Sequence, residues 1–278
     1  MADQLNTAAG AFAAIIPEQW SNVYTTNLRA ARPLTAAVAR TYENEVQVGD
    51  TVRIPTWADG TANFVVDGQA VDAQSTDTST QSLVVDKIIA YDEIVTKLAD
   101  LQSFEYMNML RDRTVNAIMT KIETYLHTLV SPSTSAPDHV IDIDTGTTLV
   151  VADILEAKDL LDTQNVALEG RKLICGTSQM NDLLTLDPMV NSDYGNGATG
   201  SVNGFLSKPS FGFDLASTTI AGNTAILFHP SFLQMAIQQD MEIKVDDLSS
   251  QGIRGHRVSS TLIMGAKQID NTRVVKLS

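Results

Sequence analysis

Between Ser103 and Val130, apolar side chains recur at Phe104, Met107, Val115, Ile118, Ile122, Tyr125 or Leu126, and Leu129. Steps of three and four place them on one side of an α-helix, with Arg111, Asp112, Lys121 and Glu123 on the opposite side. Ser103 suits the cap of the first turn, Glu105 sits against the positive end of the helix dipole, and Ser131-Pro132 stops the run. With no Gly or Pro inside it, the stretch predicts a rod of roughly 40 Å at 1.5 Å per residue. A helix this long with a single stripe lies across a sheet or along the edge of an elongated molecule. No second helix of comparable length is predicted to form a bundle with it.

Upstream, Pro17-Glu18 suits a helix start, and Trp20, Val23, Tyr24 and Leu28 keep a helical spacing that Pro33 ends. Residues 1–41 carry little capacity for a core of their own and read as an arm packed on the same subunit, a neighbour, or both. From Glu45 the period changes to two: Val46 and Val48, then Thr51 to Pro55, with Gly49-Asp50 as a turn between two short strands. Trp57 to Gln81 is a long polar stretch before the next clear strand, Ser82 to Tyr91. Compact domains seldom carry so long a connection unless it does something. An extended two-stranded loop standing off the body accounts for it, since strands without a core need few hydrophobes; a disordered insertion also would.

Leu83 to Ile89 and Glu93 to Val95 lead into the long helix, and the polar linker Ser131 to Asp138, with two prolines, marks a domain boundary behind it. Beyond it the pattern alternates in α/β fashion. Ala152 to Gln164 is an amphipathic helix with Ile154, Leu155, Leu160 and Leu161 on one side. Arg171 to Gly176 is a buried strand, and Thr177 to Leu186 a helix stopped by Asp187-Pro188. Residues 189–204 are Gly- and Asn-rich and read as mobile. Gly204-Phe205-Leu206 restarts a strand, Thr224 to Phe228 forms another, and Ser231 to Gln238 reads as helical. The remainder is strand material: Glu242 to Val245, Arg257 to Ile263, and Arg273 to Leu277. No repeat recurs at a fixed period.

At 278 residues and 44% hydrophobic, the chain can bury a substantial core. Its longest apolar run near the start, Ala8 to Ile16, is interrupted by Gly10 and too short to cross a bilayer. It lacks a basic leader and a cleavage site, so an intracellular product without a membrane partner is expected. A lone cysteine, Cys175, excludes an internal disulfide and a cysteine-based zinc cluster, and its apolar surroundings predict a buried, inert thiol. Acidic residues outnumber basic ones 33 to 19, a net charge of -14 that argues against nucleic-acid binding through a large positive face. Glu43 to Asp86 holds eight acidic residues against one basic residue, Arg53. From Gln251 to the end, Arg254, Arg257, Lys267, Arg273 and Lys276 face one acidic residue, Asp270. Such segments pair within a chain, pair between copies, or stand as separately solvated surfaces.

No enzyme reading survives the motifs. Asp142-Ile143-Asp144-Thr145-Gly146 contains the Asp-Thr-Gly of aspartic proteases, which need a second such loop or a symmetric dimer. No second loop is present, and the two-aspartate phosphatase pattern wants Thr or Val where Gly146 stands. There is no Gly-x-Ser-x-Gly elbow, and Gly176-Thr177-Ser178 reads as a helix cap. His127, His139, His229 and His256 lack metal-ligand spacing, and the glycines at 195–204 follow no strand and lack the Lys-Ser/Thr of a phosphate loop. No catalytic, cofactor-binding or metal-binding residue is assigned, and no cofactor is expected.

Three stretches follow the arm and the polar loop in order: Asp86 to Gln102 running into the long helix, Leu227-Phe228-His229-Pro230-Ser231 with Ala236, and Met264-Gly265-Ala266 running through Asp270 to Val275. Together they resemble the major capsid proteins of tailed bacteriophages, the Hong Kong 97-like fold. The first is similar to the approach to that family's spine helix. The second is similar to the His-containing turn between its central and peripheral domains, and the third to its closing strand pair. The likeness spans nearly the whole chain.

The resemblance implies an α+β capsid fold with an N-terminal arm at 1–41 and an extended β-hairpin loop at 42–84. A peripheral domain with the spine helix would occupy 85–135 and 236–278, and an α/β axial domain 136–235. It implies a structural protein of the virion that assembles in the host cytoplasm into hexamers and pentamers of an icosahedral shell around double-stranded DNA. Partners would be further copies, scaffolding and portal proteins, and a cement protein in some cases. Some members crosslink through a lysine of the extended loop; 43–86 contains none, so that bond is not expected. No long scaffolding region precedes the arm, which points to a separate scaffolding protein. The loop's acidic charge is expected to meet the basic closing strands or the arm of an adjacent copy, so that charge reversal at Arg254 and Arg257 would impair particle assembly. The acidic total suits a container whose lining lets DNA move past during packing. An encapsulin-type nanocompartment shell shares the fold, and a small cytoplasmic enzyme built on 136–235 is the alternative from another class.

Overall fold

The apolar stripe of the long helix finds its partners in two different sheets. The computed structural model describes residues 31–46, 49–57, 60, 62–65, 78–97, 106–143, 148–186, 212–249, 252 and 254–278. The chain enters through helix α1 (Pro33–Ala37) and a 3₁₀ turn at Glu43–Glu45, then forms strands β1 (Thr51–Trp57), β2 (Thr78–Val84) and β3 (Lys87–Thr96). Helix α2 (Tyr106–Leu129) follows, about 36 Å long at 1.5 Å per residue. Next come β4 (Val140–Ile141), helix α3 (Val151–Thr163), β5 (Lys172–Cys175), helix α4 (Thr177–Leu183), β6 (Asp214–Ser217) and β7 (Ala225–Phe228). A 3₁₀ turn at Pro230–Phe232 leads into β8 (Leu233–Asp247), β9 (Gly255–Gln268) and β10 (Val274–Leu277).

Three sheets result: the hairpin β1-β2, a three-stranded antiparallel sheet ordered β3-β9-β8, and a five-stranded mixed sheet ordered β4-β10-β7-β5-β6. Strands of the five-stranded sheet bury both faces. Ile174, Ile226, Phe228 and Val274 point to one cluster, while their neighbours Leu173, Cys175, Ala225, Leu227 and Val275 point to another. This is the period of two applied to a strand covered on each side, which yields an unbroken apolar run. Helices α3 and α4 cover the second face with Ile154, Ala157, Leu161 and Leu183. Helix α2 covers the first with Ile118, Ile122 and Leu126, and the same cluster takes in Leu262 and Met264 of β9. One helix therefore ties the two larger sheets together, with Phe228 and Phe232 packed at a tilt, ring centroids 5.0 Å apart, beside it.

Several sequence expectations change. Ser231 to Gln238 is not helical: after the 3₁₀ turn it is the start of β8, paired with β9. Leu233 through Ala236 are all buried, Gln234 included, so burial does not alternate there and no strand period shows in the sequence. Val46 lies in a turn, and β1 pairs with β2 from Thr51↔Val84 to Trp57↔Thr78. The expected strand Ser82 to Tyr91 is two strands broken at Val85-Asp86. Pro33 opens a helix as its first residue, where its missing N–H costs nothing. Leu155 faces solvent. β10 lies in the five-stranded sheet beside β7 and β4, apart from β9. β6 had no sequence signal beyond two apolar residues in four. The expected helix from Pro17, the Ser103 cap, the 189–204 loop and the strand at Phe205 lie outside the described residues.

Candidate functional site

Glu123, expected on the solvent side of the long helix, is fully buried. Its carboxylate accepts hydrogen bonds from the backbone N–H groups of Leu34 (2.9 Å) and Thr35 (2.7 Å) and from the Thr35 hydroxyl (2.5 Å). His127 Nε2 lies 3.5 Å away, one helical turn on. Burial pushes this carboxyl's pKa up, but hydrogen bonds from His127, Thr35 and Leu34 outweigh it and hold the group below its ordinary range. The charge thus occupies the first turn of α1, where N–H groups have no helical partner. Around it, Arg32 contacts Asn116, the Thr218 hydroxyl donates to Ala31 O at 2.7 Å, and Met235 N–H donates to Ala39 O at 3.1 Å. Residues 31–41 are in this way strapped across α2 and onto β8.

The β1-β2 hairpin is seated at its base. Ile54, Leu83 and Val85 bury themselves against Val46 and Ala236, with Ile263 partly buried beside them. Gln238 Nε2 donates to Val46 O and Gly49 O at 3.0 and 2.9 Å. Gly265 on β9 explains the close seating: a Cβ there would stand 2.3 Å from Val84 O. Beyond this base, Pro55, Ser79 and Thr80 are exposed, and in the connection between the strands Phe64 has 109% relative exposure, with Val65 exposed beside it.

A second exposed apolar feature lies on β3, an edge strand. Ile88 is 69% exposed, and Ile94 is exposed further along. Between β3 and α2 runs a groove of about 350 Å³ whose walls include Ile88, Ile89, Ala117 and Ile118, with exposed Lys121 among them. Of the basic residues expected to meet a neighbour's acidic loop, Arg257 contacts Asp92 of its own chain, and Arg273 binds Asp270 at 2.9 Å. Part of the basic segment is thus matched inside the subunit.

Several residues weighed for chemistry are engaged in local contacts. Burial pushes the Cys175 thiol up to about 12. His139 is buried with Nδ1 3.1 Å from Val274 O, and His229 Nδ1 lies 2.7 Å from the Ser231 hydroxyl. Gly176 is the residue before α4, and a Cβ on it would stand 1.8 Å from Gly222 O, which accounts for the glycine of the Gly-Thr-Ser motif. A cavity of about 220 Å³ brings Thr124, Thr128 and Thr224 beside His127 and Lys276, but all three hydroxyls donate to backbone carbonyls. Asp142 is exposed, and 144–147 lie outside the described residues. Among the described residues, no three acidic, histidine or cysteine side chains converge as metal ligands, and no helix is long and apolar enough to cross a membrane.

Residues 107–278, more than half of the chain, match the phage capsid protein family. The chain belongs to that family. Solved structures agree along its whole length. The structure of Mycobacterium phage Che8 shares 21% identity at a TM-score of 0.75, over 96% of this chain and 98% of that one. The capsid of cyanophage P-SCSP1u shares 11% identity at a TM-score of 0.77, over 98% and 95%. The capsid of cyanophage Pam1 shares 14% identity at a TM-score of 0.72, over 100% and 98%. No curated protein sequence matches the chain. This capsid protein has the mixed α/β fold of those phage structures and a structural role in the virion capsid.

Sequence reasoning missed two features of this surface. Phe64-Val65-Val66 was the detectable one, an apolar triplet isolated in a polar stretch. Glu123 had no local signal, because its partners lie 88 and 89 positions away.

Proposed function

We propose that this capsid protein forms the hexamers and pentamers of an icosahedral shell enclosing double-stranded DNA, with the Hong Kong 97-like division of labour. Residues 1–41 serve as the arm, and 42–84 as the extended loop that lies over a neighbouring copy. Residues 85–135 and 236–278 form the peripheral domain, with α2 as its spine helix. Residues 136–235 form the axial domain around the symmetry axes, its sheet completed by β10. Scaffolding, portal and cement proteins are the further partners, and assembly takes place in the host cytoplasm.

The observation that carries this reading is the hairpin, whose buried residues lie at its base while Phe64 stands exposed beyond it. A large exposed aromatic on a projecting element is the anatomy of an interface anchor. Sedimentation of the purified chain tests the reading. Capsomer-sized or megadalton species are expected, with DNA inside particles isolated from infected cells. A monomer or small oligomer at every concentration contradicts it.

A further inference from the structure

We propose that Phe64 of one copy seats in the groove between β3 and α2 of a neighbouring copy, against Ile88, Ile89, Ala117 and Ile118, with Lys121 facing the acidic loop that carries it. This pairing rests on the shell reading and specifies which surfaces meet in it.

Both halves are apolar features that the single subunit leaves uncovered. Phe64 has 109% relative exposure, and removing so large an apolar side chain from water favours association. Ile88 is 69% exposed on an edge strand, the kind of feature that soluble proteins cover or blunt with charge. The groove, about 350 Å³, is of a size to take one aromatic ring with its flanking backbone. Its apolar walls and single lining charge match the composition of an interface centre, from which charges are depleted.

Charge selects the occupant. Glu43 to Asp86 carries eight acidic residues and one basic residue. The charged residue among the groove's walls is the cationic, exposed Lys121. An acidic loop bringing an aromatic to a cationic apolar groove is complementary, and the same polypeptide supplies both parts. The hairpin is fixed at its base on β8 and β9 through Ala236, Ile263 and Gly265. That seating leaves Phe64 exposed in its own subunit, so a second copy is the partner that covers both features at once.

Crosslinking in mixed particles tests the pairing. Phe64→Cys and Ile88→Cys are made as separate single variants, co-assembled and oxidised. The native Cys175 is buried with its pKa near 12, so it does not compete. Covalent dimers in mixed particles, and their absence from particles of either variant alone, are expected. Assembled mixed particles whose chains all remain monomeric on non-reducing gels overturn the pairing while the shell reading stands. A wild-type chain that forms no particles overturns both. If Phe64→Cys blocks assembly, Phe64→Ala, Ile88→Ala and the double variant decide. Each single is expected to raise the concentration needed for assembly about tenfold or more, with the double no worse than either single. Additive effects overturn the pairing.

Discussion

At the scale of single residues, a buried carboxylate holds the first turn of α1. The spacing of α2 assigned Glu123 to water, because pattern reasoning treats charge as solvent-seeking. Its true partners are the N–H groups of Leu34 and Thr35, joined to it only by the fold. Glu123→Gln keeps the shape and removes the charge, and is expected to cost about 2 kcal/mol in denaturant unfolding of the unassembled subunit. The pH dependence has a fixed sign. The folded-state pKa lies below the ordinary value, so the stabilisation is complete above the ordinary glutamate range and is lost as pH falls through the folded pKa. The stability gap between wild type and Glu123→Gln should therefore narrow on acidification through and below that range. A gap independent of pH there contradicts the assignment. Gly265 makes a second case, and here the sequence did flag the position without giving its reason. Gly265→Val drives a side chain into Val84 O and should lift the hairpin base. Protease cleavage between Thr51 and Val84 is expected to quicken severalfold while residues 106–129 stay protected.

Elements are legible where a stripe, or a short apolar run, has a single reading, and illegible where a longer segment has two. α2 was read to within a few residues, since its stripe alternates with exposed Arg111 and Lys121. β5 and β7 were read from their unbroken apolar runs. The first half of β8 was misread because Leu233 to Ala236 are all buried, Gln234 included, so no alternation of apolar and polar positions marks a strand there. The partner of β1 was not legible, because its pairing with β2 spans a connection of twenty residues and the turn signal at Asp59-Gly60 does not say where the chain returns. The helix also does more than a single stripe suggested, since one cluster joins it to both larger sheets. Ile122→Ala should therefore cost about 2–5 kcal/mol and lower one cooperative transition. Separate melting of the three-stranded and five-stranded sheets would show that α2 does not couple them.

At the scale of the whole molecule, the chain carries surface features that make sense in company. The hairpin is seated at its base while Phe64 stays exposed, β3 exposes Ile88 and Ile94, and residues 31–41 are strapped across α2. Arg257 is engaged by Asp92 within its own subunit. Charge reversal at Arg257 is accordingly expected to disturb the β3-β9 pair of its own subunit, visible as faster hydrogen exchange around Asp92 before any effect on particle yield. Sequence alone revealed the order of elements and the family it resembles. It did not reveal how the hairpin base, the arm and β8 meet, because those contacts join positions nearly two hundred residues apart. The most direct measurement is a cryo-EM reconstruction of particles assembled from the purified chain. The account predicts a closed shell in which residues 51–84 of each copy lie across an adjacent copy, with Phe64 density between β3 and α2 of that neighbour. A shell whose hairpins contact their own subunit alone, or preparations that hold no shells, would contradict it.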